Sequence, residues 1–221
     1  MLKIHFSQAD PTLRRDVAVY PDFITQEQHD ALVEQLAPVF RRKRYEKGHW
    51  DAVITDYKES ERADESWNQT NRDTIEQIRT SNVMPPGLGP WLPVHAIDLS
   101  AQGHIKPHVD SVKFSGKVVA GLSLLSTALM TLRHEDTGAT AALLLPPRSF
   151  YMLQGDARYR CTHEVSPADA DGAVTWHGKA YPRGRRISLI FRDALVAGSG
   201  GGGGGGVSAG GAPGYGYGAP Q

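Results

Sequence analysis

The sequence predicts an α+β domain built on a β-sandwich or jelly roll. Three observations carry that expectation. Apolar residues at helical spacing are confined to the first third of the chain, about eight short strand-like runs follow from Trp91, and Gly, Pro and Asp separate those runs.

The first helix is announced by Thr25 with Gln28 three residues later, the form of a capping box, followed by Leu32, Val33 and Leu36 on one face. Pro38 is expected to close it. A basic run, Arg41-Arg42-Lys43-Arg44-Tyr45, follows and reads as a solvated face or a polyanion contact. Asp64 to Asn82 reads as a second helix with a thin apolar stripe of Trp67, Ile75 and Ile78, ended by Met84-Pro85-Pro86-Gly87. Strands are expected at Val94–Leu99, Ile105–Asp110, Val118–Leu125, Met130–His134, Leu143–Leu145, Phe150–Leu153, Arg160–Val165 and Arg186–Arg192. No internal repeat is evident. The organisation expected is an N-terminal extension over 1–19, one domain over 20–196, and a Gly-rich tail over 197–221. That tail holds more than half of the 24 glycines and no charge, so it is expected to be disordered.

Composition excludes some classes. Of 221 residues 40% are hydrophobic and 22% charged, enough apolar material for a core. The 24 Lys and Arg are balanced by 24 Asp and Glu, which argues against a protein that coats nucleic acid through bulk charge. One cysteine, Cys161, allows no internal disulfide and fits a reducing compartment. No apolar run is long enough to span a bilayer, and the N-terminus is at most a weak transit signal.

His-x-Asp occurs three times, at His49-Trp50-Asp51, His108-Val109-Asp110 and His134-Glu135-Asp136. Random placement would give roughly one, so context must choose among them. Non-haem iron(II) oxygenases hold their metal with two histidines and one carboxylate. Residues i and i+2 of a strand share a face, so His108 and Asp110 can converge on one ion. His163, in a later strand-like run, can supply the third ligand. Arg186 and Arg192 then share one face of a final strand whose other face, Ile187, Leu189 and Phe191, is apolar. A guanidinium suits a dicarboxylate held away from the metal. The other two triplets lack this sequel, and His134-Glu135-Asp136 reads as a strand end running into a turn.

With these residues in place, the chain resembles the AlkB-type iron(II)/2-oxoglutarate dioxygenases, and within them a mitochondrial branch linked to programmed necrosis after alkylation damage. The resemblance is carried by Arg41–Glu46 with His49–Ala52, by Gly103-His104-Ile105-Lys106-Pro107-His108-Val109-Asp110-Ser111, by Ala120–Leu125, by Ala157-Arg158-Tyr159 ahead of His163-Glu164, and by Arg183-Gly184-Arg185-Arg186-Ile187-Ser188. It implies a double-stranded β-helix (jelly-roll) dioxygenase core with preceding helices, and Fe(II) held by His108, Asp110 and His163. It also implies 2-oxoglutarate and O₂ as co-substrates, the far carboxylate of 2-oxoglutarate on Arg186, and Arg192 nearer the metal. Tyr151 matches a position whose hydroxyl helps hold the co-substrate, and Ser188 shares the arginine face.

The departures bear on substrate. Ile97-Asp98-Leu99 stands where repair members carry an Asn-x-Tyr pair, and Ser188 and Ile190 replace the usual polar pair between the arginines. No basic-aromatic segment substitutes for a nucleotide lid, so repair of duplex DNA is not expected. The resemblance implies the mitochondrial matrix and a role in alkylation-induced programmed necrosis and mitochondrial homeostasis. Two substrate classes stay open: a protein side chain, or methylated bases of mitochondrial RNA, with the basic run and Arg183 and Arg185 as phosphate contacts. Asp98 and Glu164 are candidate acceptors for the ligand imidazoles, and Cys161, two residues before His163, is a core residue that can approach the metal. Nothing in the composition points to an oligomeric state.

Overall fold

Local sequence sets the elements in order. The computed structural model describes residues 3–7, 11–48 and 53–196. The chain forms β1 (Ile4–Phe6), α1 (Pro11–Asp16), β2 (Val17–Tyr20), α2 (Gln26–Arg41), β3 (Ile54–Arg62), α3 (Gln69–Arg79), β4 (Val94–His108) and β5 (Ser115–Leu124). It continues with β6 (Ala128–His134), β7 (Thr140–Leu145), β8 (Phe150–Leu153), α4 (Gly155–Tyr159), β9 (Cys161–Val165), β10 (Ala173–Trp176), β11 (Lys179–Pro182) and β12 (Arg186–Ala194).

The capping box forms as expected: Gln28 N–H donates to Thr25 Oγ1 at 3.2 Å, and Thr25 N–H to Gln28 Oε1 at 2.9 Å. Pro38 does not close α2, which runs on to Arg41. The last turn is held because Phe40 is buried and its carbonyl accepts from Lys58 Nζ at 3.0 Å. The second helix is shorter than its polar periodicity suggested. A 3-10 turn covers Asp64–Ser66, and Asn68 then caps α3 by accepting from Asn71 N–H at 2.9 Å.

Ten strands pair in the order β1-β7-β6-β9-β4-β12-β5-β8-β2, with β3 also on β4. The fifteen-residue β4 is the hinge of this order. Its first half pairs with β12, and its last residues pair with β9 (His108 with His163). The two expected strands Val94–Leu99 and Ile105–Asp110 are therefore one, ending at His108. Gly103 lies at the bend, where a Cβ would stand 2.6 Å from the carbonyl oxygen of Asp56. Asp56, at φ 51°, is the bulge where the β3–β4 register shifts.

Each face of the β4-β12-β5-β8 arm has its own core. Toward α2 and α3 it presents Ala96, Ala120, Leu122, Phe150, Ile187, Leu189 and Phe191, packed on Leu32, Leu36, Phe40, Ile75 and Ile78. Its other face presents Leu99, Val119, Tyr151, Leu153 and Ile190 to Leu132, Leu143, Leu145 and Val165 of the second arm. This is the jelly-roll arrangement: two antiparallel layers closed over one apolar interior, with helices outside. Leu13 and Val17 belong to that interior, so residues ahead of Tyr20 contribute to it. β1, β2, β3 and the β10–β11 hairpin were not expected from the sequence. The tail over 197–221 and His49–Ala52 lie outside the described residues.

Candidate metal centre

The site forms where the two layers meet. His108 closes β4 directly opposite His163 of β9, their ring centroids 4.2 Å apart. Asp110 does not close the strand as expected; it lies in the turn beyond it, and side-chain contacts rather than strand alternation bring it to the histidines. Its Oδ1 is 3.4 Å from His108 Nε2, and its Oδ2 accepts from Arg192 Nε at 3.0 Å. One ligand atom from each of the three residues lies within 4.8 Å of the others. His108 Nδ1 is 3.0 Å from the Lys106 carbonyl, an acceptor only, so Nδ1 carries a proton, and Nε2, which faces Asp110, is the nitrogen that offers a lone pair to a metal once its own proton is lost.

Charge suits the cluster to a divalent cation. Burial alone would raise the Asp110 carboxyl, but Arg192 and the two imidazoles outweigh it and hold it well below the usual carboxylate range. Burial, reinforced by His108, pushes His163 down to about 4, so its imidazole is neutral at physiological pH. At His108 burial works downward, and the hydrogen bond and charge of Asp110 reverse it into a raised value. Two imidazoles and one ionised carboxylate on one side of an ion suit first-row metals such as Fe(II) and leave other positions open.

A buried cation stands further along the same face of β12. Arg186 is 1% exposed, and its hydrogen bonds run to Ser123 Oγ at 3.2 Å from Nε and to Ser188 Oγ at 3.4 Å from Nη2. Among the described residues no carboxylate pairs with it, and burial lowers its pKa. A guanidinium removed from water and given only hydroxyl partners has an anion's place beside it. Tyr151 is the cross-strand partner of Gly121, where a Cβ would meet the ring edge at 2.3 Å; only glycine lets the ring lie over β5. Burial pushes the phenol up to about 12, so it keeps its proton. The donors fit a dicarboxylate that reaches from the metal to Arg186.

His108, Asp110 and His163 are thus brought together, with Arg192 on Asp110 and with Arg186, Ser188 and Tyr151 along the same interior. Sequence reasoning gave no role to Ser123, to Gly121 or to Arg158, whose Nη1 donates to the Asp110 carbonyl at 2.9 Å. The contacts of Ser123 and Arg158 depend on register and on backbone oxygens, which carry no residue signature. Asp98 does not serve an imidazole. It pairs with Ile187 on the helix side of the sheet, where Arg185 Nη2 donates to it at 2.8 Å and Tyr45 OH at 3.2 Å. Glu164 alternates away from His163, and Cys161 is packed in the apolar interior. His134 Nδ1 accepts from the amides of Asp136 and Thr137, the polar turn expected there.

Comparisons with known proteins agree on one group. A family profile described as the 2OG-Fe(II) oxygenase superfamily matches residues 16–192. A mouse (Mus musculus) protein named alpha-ketoglutarate-dependent dioxygenase alkB homolog 7, mitochondrial, is 42% identical over 189 residues, 85% of this chain and 82% of its own length. The protein of the same name from cattle (Bos taurus) is 40% identical over the same shares. Among solved structures, a prolyl-4-hydroxylase from Pseudomonas putida superposes with a TM-score of 0.59 at 11% identity, covering 85% of this chain and 97% of that one. A structure titled OsALKBH1 gives 0.55 at 16% identity, covering 80% and 97%. These two are likenesses of fold.

Proposed function

The chain belongs to the 2OG-Fe(II) oxygenase superfamily and is an AlkB-like Fe(II)/2-oxoglutarate-dependent dioxygenase, and from that premise we propose that it hydroxylates a side chain of a protein substrate in mitochondria. Fe(II) supplies the coupling of O₂ to decarboxylation of 2-oxoglutarate, which yields succinate and CO₂ and places one oxygen atom on a substrate C–H. His108, Asp110 and His163 hold the metal. Arg186, with Ser188 and the protonated Tyr151 hydroxyl beside it, receives the far carboxylate of 2-oxoglutarate. Arg192 keeps the Asp110 carboxylate ionised and aimed.

The observation that carries the substrate class is the surface around the metal turn. Among the described residues the large hydrophobic side chains left exposed are Val112, Phe114, Tyr159, Leu195 and Val196. They cluster: Ala194 pairs with Ser115, and Tyr159 OH donates to the Gly116 carbonyl at 2.9 Å. Val112 and Phe114 lie two and four residues beyond Asp110 and Tyr159 four before His163, and an apolar, aromatic rim so placed suits a polypeptide segment. The basic run leads instead into Tyr45, whose hydroxyl binds Asp98 on the helix side of β4, the face opposite Arg186 and Ser188. That placement sets the basic run on the other side of the sheet from Arg186 and Ser188, which favours the protein reading over the RNA one. No helix among the described residues is long and apolar enough to cross a membrane. The matrix and a part in alkylation-induced necrosis and mitochondrial homeostasis belong to the same reading, supported by likeness to mitochondrial relatives.

The test is succinate release from labelled 2-oxoglutarate by iron-loaded protein, with His108→Ala as control, in the presence of mitochondrial extract. Stimulation that survives ribonuclease and is lost to protease is the expected result. Stimulation lost to ribonuclease would replace protein hydroxylation with demethylation of mitochondrial RNA.

A further inference from the structure

Arg158 is 2% exposed, and all its hydrogen bonds run to carbonyls and one hydroxyl. Its Nη1 donates to the Asp110 carbonyl at 2.9 Å. Its Nη2 reaches the Ser111 carbonyl at 2.9 Å, the Ser115 carbonyl at 3.3 Å and Ser115 Oγ at 2.7 Å. These oxygens stand at the two ends of the turn that carries the chain from β4 to β5. Asp110 lies in that turn, past the last residue of β4, so no strand ladder fixes its backbone. The fork is itself anchored. Asp156 N–H, in the first turn of α4, donates to Asp16 Oδ2 at 2.9 Å, and Gln154 N–H donates to the Asp16 carbonyl at 3.0 Å.

A second buried cation beside a cation-binding cluster costs desolvation and repels the metal. A planar five-donor group is what can hold two separated sets of carbonyls at once, which an ammonium cannot do. We propose that Arg158 is a positioning residue of the metal centre: by clamping the carbonyls of Asp110 and Ser111 against Ser115, it fixes the direction from which the Asp110 carboxylate meets His108 and His163. This rests on the assignment of those three residues as metal ligands.

Mn(II) alone is the probe, titrated into the purified full-length chain, with the free ion counted by its electron paramagnetic resonance signal. His108→Ala reports on the ligand assignment, and its binding Mn(II) as tightly as the unaltered protein would remove the premise. With that control passed, Arg158→Ala is expected to weaken Mn(II) binding by about 10- to 100-fold, the range for groups that orient ligands. Added guanidinium at tens of millimolar should restore part of the affinity, because it can occupy the vacated fork, whereas for a merely loosened fold it would only destabilise. Arg158→Lys keeps charge and bulk and should also bind more weakly than the unaltered protein. Leu32→Ala, in the core between α2 and the sheet and away from the fork, reports on stability alone: a lower unfolding midpoint with Mn(II) affinity kept within about threefold. Arg158→Ala or Arg158→Lys binding Mn(II) like the unaltered protein would overturn the proposal. So would affinity that follows unfolding midpoint across all variants, or no response to guanidinium.

Discussion

Replacing Arg186 with Met separates a residue that serves a ligand from one that holds the fold. In the protein the guanidinium is 1% exposed and bonded to the Ser123 and Ser188 hydroxyls. Charge-assisted hydrogen bonds contribute about 1.5–3 kcal/mol each, so a two-pronged grip on a carboxylate is worth about 3–6 kcal/mol. At about 1.4 kcal/mol per tenfold, the variant should bind 2-oxoglutarate roughly 10²- to 10⁴-fold more weakly. The ligand-free protein should respond in the opposite sense. Met removes a buried charge that no carboxylate offsets, so stability should hold or rise by about 1 kcal/mol. Urea unfolding with Mn(II), with and without 2-oxoglutarate, reads both effects. At about 100 times Kd the ligand should add roughly 2.7 kcal/mol to the unaltered protein, and at the same concentration close to nothing to the variant. Binding within threefold of the unaltered protein, or a loss of several kcal/mol without ligand, would refute the assignment.

Gly121→Ala should lower 2-oxoglutarate affinity while sparing Mn(II) binding, because the added Cβ meets the Tyr151 ring at 2.3 Å and forces its hydroxyl from the pocket; titration calorimetry checks this, and unchanged affinity would mean that the ring is not part of the grip. Acid should destabilise the metal-free protein from pH 6.5 downward. As pH falls from 6.5 to about 4 the unfolded chain takes a proton that folded His163 refuses, at a cost of about 3 kcal/mol, and below that Asp110 loses the stability its ionised form contributes. The raised His108 opposes this in part, so the readout is the difference: His163→Ala should show a flatter urea midpoint between pH 6.5 and 4 than the unaltered protein.

The strands whose side chains fill a core were legible, and the ones at the margins were not. β5, β8 and β12 carry apolar residues at every second position or more, and their limits fell within a few residues of expectation. β3 reads Ile-Thr-Asp-Tyr-Lys-Glu-Ser-Glu-Arg and buries Tyr57 alone, so its pattern is that of a solvated loop. The β10–β11 hairpin turns through His177 and Gly178, both at positive φ, a signal that His-Gly carries only weakly. That His108 and His163 come together, with Arg186 on the same interior, was legible because chemistry restricts residue type and strand alternation sets direction. The spacing of Asp110 from His108 singles it out, but strand alternation does not aim it, because β4 ends at His108. It is aimed by Arg192 and by carbonyl contacts to Arg158, and carbonyls leave no trace in a sequence.

The position of β12 has a consequence for how the protein is made. This is the final strand of the described chain, yet it inserts between β4 and β5 rather than adding at an edge. Until residues 186–194 clear the ribosome, β4 and β5 each present an unpaired row of amides and carbonyls, and the largest layer has a gap through its middle. Its ladders join residues 63 to 95 positions apart, from Leu124 with Ile187 to His95 with Ile190, and such separations make closure slow. A growing chain can therefore hold His108, Asp110 and His163 and still lack a finished site, since Arg186 and Arg192 arrive with the strand that closes it. The strand that closes the sheet is also the one that brings Arg186 and Arg192 to the proposed site, and the interval before its arrival is when the chain most needs protection from aggregation.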